Sequence, residues 1–245
     1  MKTLSLKKIS ALACALTWAG TLWAQNNVGQ WDFNSADLTQ TLGANLGNLT
    51  YNDGPAGQTY SNTVFATTTT LGIPNINGSP AQVIGFPAGN LPEGYLMPTP
   101  PANGTDSVLG AGSLVNEYTI IMDVLYTNSG TLRPLIQMDD GALDHVTALF
   151  AIGVHDDLEV TNTLGGSHLA SGAFGTIAAN TWYRLGLVLD TAGGTASVYT
   201  NGVLLGVVNF GTGNLDTPFA LLASSVLPVF SSNITNAQGL SLIHI

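Results

Sequence analysis

"TWYRLGLVLDTAGGTASVYTNGVLLGVV" (residues 181–208) reads as three short strands joined by two tight turns. In the first segment Tyr183, Leu185, Leu187 and Leu189 fall on one face, and Trp182, Arg184 and Val188 on the other. That period of two is what a strand requires. "DTAGGT" (190–195) supplies a loop with two glycines able to take positive φ. Asn201-Gly202 is the strongest hairpin signal in the chain, because a type I′ turn needs positive φ at both central residues. The ribbon is therefore expected to be a three-stranded antiparallel meander, with Trp182 and the leucine face in a core.

Working outward, the same grammar recurs. "EYTIIMDVLYT" (117–127) is β-branched, aromatic and apolar on both faces, so it is expected to be covered on both sides. "RPLIQM" (133–138), "ALFAIGV" (148–154) and "DLEV" (157–160) follow, each bounded by Asp or Gly. Near the start, "VGQWDFN" (28–34) alternates Val28, Trp31 and Phe33 with polar residues and reads as a first strand. "VIGFPAGNLPEGYLMPTPPANGTD" (83–106) holds five of the eleven prolines and reads as loop with at most edge strands. No window carries a capped 3.6-residue period. Short strands at about ten-residue spacing predict an all-β, two-sheet antiparallel jelly-roll sandwich in one domain, residues 25–230.

The first 24 residues read as a secretory signal: Lys2, Lys7 and Lys8, then the apolar "ISALACALTWAGTLW", then "LWA" before Gln25. The chain is thus expected to be secreted, periplasmic or displayed at the cell surface, without membrane insertion after cleavage. Cys14, the only cysteine, would leave with the signal, so no disulfide is expected. What remains has Arg133 and Arg184 against fifteen carboxylates, a net charge of −13. Counterion release at phosphates needs cations, so nucleic acid is excluded as a partner. Anionic membrane surfaces are disfavoured on the same ground.

The ribbon, with "WDFN" (31–34) and "NEYTIIMDVLY" (116–126), resembles laminin-G-like, concanavalin A-like lectin/glucanase domains. The signature is a Trp opening a strand, a turn, and an aromatic-x-Asn-Gly closing the next hairpin. The resemblance implies a jelly-roll sandwich, often with a rim Ca²⁺ and a glycan or protein ligand near it. The end departs from it. After "FALLASSVLPVF" (219–230), a strand and turn, residues 231–245 read as an irregular tail, truncated or non-native, its final "SLIHI" resembling translated adapter sequence.

Catalysis finds little support. The resemblance's hydrolases place Glu-x-Asp-x-x-Glu on one strand, but the only glutamates are Glu93, Glu117 and Glu159, none so arranged. Asp157 and Glu159 form a lone i, i+2 pair. No G-x-S-x-G elbow is present, and the absence of lysine after the signal removes phosphate-loop and Schiff-base chemistry. His145, His155, His168 and His244 are too scattered for zinc. Ca²⁺ is the candidate cofactor. "MDDGALDHV" (138–146) gathers Asp139, Asp140 and Asp144 on one Gly-containing loop, and "HDDLEV" (155–160) offers Asp156, Asp157 and Glu159 as a second candidate at the opposite sandwich end. Solvated turn carboxylates are the competing reading for both. Tyr95, within the proline-rich stretch, is the most ligand-like aromatic, against a competing role in packing. The expected function is a non-catalytic recognition or adhesion module for extracellular glycan or protein. The alternatives are an accessory domain of a truncated secreted hydrolase and a purely structural surface protein.

Overall fold

In the computed structural model, residues 27–43, 46–87, 89–90, 93–106, 110–138, 148–164, 167–211, 219–232 and 240–244 are described. Residues 1–24, expected to be a secretory signal, and the Asp139–Asp144 loop lie outside them. Two seven-stranded antiparallel sheets form the sandwich. Sheet I runs, in spatial order, Val203–Asn209, Thr195–Thr200, Tyr183–Asp190, Glu117–Tyr126, Leu240–His244, Gln82–Pro87 and Val64–Thr67. Sheet II runs Ser167–Phe174, Leu158–Leu164, Ala148–Ile152, Arg133–Met138, Val226–Val229, Tyr95–Pro98 and Thr50–Tyr51. The one described helix, Gln58–Asn62, has five residues.

The core between the sheets follows from strand alternation. Met122, Val124, Leu185, Leu187 and Val198 come inward from sheet I, and Ile136, Phe150, Val160, Leu227 and Val229 from sheet II. The 181–208 ribbon is the meander its sequence predicts. Thr200 faces Val203 across Asn201 and Gly202, whose φ values are 48° and 80°. Glu117–Tyr126 is covered on both faces only in its second half, from Met122 to Tyr126, where Leu125 and Val83 bury outward under Leu71, Ile73, Ile76 and Trp182; Glu117 and Ile121 are exposed. That cover is a loop hinged at buried Thr68, whose Oγ1 donates to Asn75 Oδ1 at 2.7 Å and whose N–H donates to the Ala81 carbonyl at 2.9 Å. Trp182 Nε1 ties it down by donating to the Pro74 carbonyl at 2.6 Å.

Three local expectations need correction. The strand expected over 28–34 is only Gly29–Gln30, paired with Leu42–Gly43. Asp32 Oδ1 accepts the Asn34 N–H at 3.1 Å, an Asx turn, and Phe33 follows at φ 56°, so the chain bends away although Trp31 and Phe33 stay buried. The proline-rich stretch holds two interior strands, not edges: Gln82–Pro87 and Tyr95–Pro98 are each paired on both sides. Pro87 and Pro98 stand at strand ends, so they terminate ladders without removing a donor from their middles. The tail is not wholly irregular either. Leu240–His244 inserts into sheet I, antiparallel to Asp123–Tyr126 on one side and to Ile84–Pro87 on the other.

Candidate functional site: a cleft at an open strand edge

Glu117–Tyr126 is longer than one of its partners. Tyr183–Asp190 pairs with it from Glu117 to Val124, whereas Leu240–His244 reaches only from Tyr126 back to Asp123. From Glu117 to Met122 the strand therefore borders a cleft of about 720 Å³ instead of another described strand. Asn27–Trp31 and Pro98–Asn103 form the other walls. Trp31, Leu46, Met97, Met122 and Leu227 give an apolar interior, and Asn27, Gln30, Asn103, Glu117, Asp123 and Arg184 are among its polar groups.

Each wall is held from below. Asn103 acts as a substitute peptide group on the open edge: its Oδ1 accepts the N–H groups of Asn116 at 2.7 Å and Glu117 at 3.2 Å, while its Nδ2 donates to the Glu117 carbonyl. Tyr118 anchors the strand by donating its hydroxyl to the Phe219 carbonyl at 2.6 Å, and burial pushes that phenol far above its usual range. Trp31 Nε1 donates to the Gly47 carbonyl at 3.2 Å, which fixes the indole beside Leu46. At the far end Arg184 donates to both oxygens of Asp123, Nε at 2.8 Å and Nη2 at 2.7 Å. This bidentate bond favours the charged guanidinium. Asp123 is buried, while the Arg184 side chain is 57% exposed. Ile121, 54% exposed, adds an apolar surface along the same strand.

The residues singled out by sequence lie elsewhere. Tyr95 is 1% exposed and belongs to the core: its ring sits edge-on to Phe86 at 5.1 Å, and its hydroxyl bonds Thr63 Oγ1 at 2.6 Å. It presents no face to a ligand. Asp139, Asp140 and Asp144 fall outside the described residues. The second candidate is split. Asp156, at φ 59°, accepts from the Gly130 N–H at 2.9 Å and pairs with buried Arg133 at 3.2 Å. Asp157 and Glu159 instead meet each other above Gly153, where any added side chain would strike both carboxyls. Burial, then the Asp157 charge, raises the Glu159 pKa. Among the described residues no three His, Cys, Asp or Glu side chains converge as a metal site. The sequence reading missed the cleft because its groups come from many separate segments between Asn27 and Leu227, and no spacing links them. Pro98, Pro100 and Pro101 of the proline-rich stretch line one wall of the cleft.

No family model and no curated protein matches the sequence. Solved structures do. Domain 4 of AbnA, a GH43 extracellular arabinanase from Geobacillus stearothermophilus solved in complex with arabinotriose, aligns over 90% of this chain and 94% of its own, at 15% identity and a TM-score of 0.54. A galectin from Caenorhabditis elegans aligns over 65% of this chain and 94% of its own, at 14% identity and a TM-score of 0.37. A pentraxin from Limulus polyphemus covers 53% of this chain and 62% of its own, at 12% identity and 0.38. The arabinanase-domain likeness is one of fold, and it joins the observed topology in placing this chain among the two-sheet antiparallel β-sandwiches of jelly-roll type.

Proposed function

We propose that this chain is a non-catalytic, glycan-binding module of the laminin-G-like kind, exported from the cell, and that the Glu117–Met122 cleft is its binding site. The observation that carries the reading is the open edge itself: a concave, preformed space with an apolar interior and fixed hydrogen-bonding groups around it. Sugars present apolar C–H faces and hydroxyls together, and such a surface complements both. The arabinotriose bound to the neighbouring fold supports the ligand class. That neighbour is one domain of an extracellular arabinanase, which also supports a second reading, an accessory domain of a secreted hydrolase. The non-catalytic reading is supported by the sequence, in which none of the three glutamates stands in the Glu-x-Asp-x-x-Glu arrangement.

A glycan array probed with the full chain, with and without EDTA, tests the module reading. Binding of one glycan class, weakened by Ile121→Lys within the cleft, is expected. No binding in either condition would refute it. Ca²⁺ assistance, if present, belongs on the Asp139–Asp144 loop, where three hard carboxylate ligands are crowded in sequence. Excess Ca²⁺ should then raise the melting temperature, and Asp139→Asn/Asp140→Asn should abolish the rise. An unchanged wild-type melting temperature would remove calcium from the account.

A further inference from the structure

The chain is nearly without cations, and the structure shows what the two remaining arginines do. Arg133 is 1% exposed. Its guanidinium bonds Asp156 and the Asn128 carbonyl and lies over the Tyr126 ring at 4.9 Å. Arg184 is thus the one cation outside Lys2, Lys7 and Lys8 that reaches the surface, and it stands at the cleft. Its charge is already matched by the bidentate bond to Asp123. Glu117, exposed at the same cleft, has no cation opposite it among the described residues. The cleft therefore carries one uncompensated negative charge inside a molecule of strongly negative net charge.

On the glycan reading above, we infer that the site takes neutral glycans and rejects anionic ones: uronates, sialosides and sulfated sugars. The exposed Glu117 carboxylate can accept and orient the hydroxyls of a neutral sugar, and hydrogen bonds to ionised acceptors are the stronger kind. An anionic sugar brought to the same place meets Glu117 and Asp123 with no free partner for its own charge. It would lose its hydration without gaining an ion pair. To bind it, Arg184 would have to give up its bidentate bond to Asp123.

The experiment titrates the full chain with linear neutral arabino-oligosaccharides, with oligogalacturonate and with sialyllactose, at pH 7 and two salt concentrations. Neutral oligosaccharides are expected to bind at least about tenfold more tightly than either anionic probe, with little salt dependence. Asp123→Asn, which frees the guanidinium, should narrow that gap. Anionic probes bound as tightly as neutral ones, or better, would overturn the inference while leaving the module reading intact. Absence of binding to every probe, and to the glycan array, would overturn both. Because the wild-type preference decides the matter, a variant that fails to fold does not rescue the idea.

Discussion

Glu159 and Asp157 hold their carboxyls together above Gly153, and burial together with that neighbouring charge raises the Glu159 pKa above 4.5. The sign of the effect on stability follows. Below 4.5 the carboxyl is protonated in both folded and unfolded chains and contributes nothing. As pH rises, the unfolded chain ionises first, so stability declines until the raised folded value is passed, and the cost persists above it. Glu159→Gln should therefore melt higher than wild type at pH 7, and the difference should vanish below 4.5. Equal melting temperatures at pH 7 would show that the pair carries no cost. Gly202 gives a cleaner backbone test. At φ 80°, a Cβ there would meet nothing within 4 Å, so Gly202→Ala should cost about 1 kcal/mol of pure conformational strain, read from denaturant midpoints.

At the level of elements, the cover over Leu125 and Val83 hangs on Trp182. Trp182→Phe removes the bond to the Pro74 carbonyl while keeping an aromatic ring, and should cost about 1 kcal/mol. Amide exchange should speed up in residues 68–76 and stay unchanged in the Tyr183–Asp190 ladder. Uniform exchange across the sheet would mean that the loop is held by other contacts. The contrast between elements shows what could be read from sequence. Asn201-Gly202 and the Leu185, Leu187, Leu189 alternation are local, so the meander and its buried leucine face were legible, but Trp182, expected in that core, lies half-buried on the outer face against Val83 and Leu125. The two apolar faces of 117–126 implied cover on both sides, which holds for Met122–Tyr126 and not for Glu117–Ile121. The bend after Trp31 was missed because an Asx turn at Asp32 outweighs the alternation of Trp31 and Phe33. Tyr95 was ambiguous because prolines nearby suggested loop, while both of them that touch its strands sit at strand ends. The cleft was invisible. It depends on how far Leu240–His244 runs along Glu117–Tyr126, a register between segments more than one hundred residues apart.

Across the whole molecule, Leu240–His244 is the strand that joins the two halves of sheet I. Removing residues 240–245 should separate Glu117–Tyr126 from Gln82–Pro87 and abolish the cooperative thermal transition. An unchanged melting curve would show that sheet I closes without it. The scarcity of arginine and lysine has another outcome, in resistance to digestion. Trypsin-like proteases cut after Arg or Lys and avoid a following proline. Arg133 is buried and followed by Pro134; Arg184 is followed by fully buried Leu185 in the middle of sheet I. Cleavage beyond Lys8 therefore requires unfolding. Beyond Lys8 the native chain should survive trypsin uncut, and the denatured chain should be cut there once, after Arg184. Surroundings rich in such enzymes would find almost no place to begin on this protein.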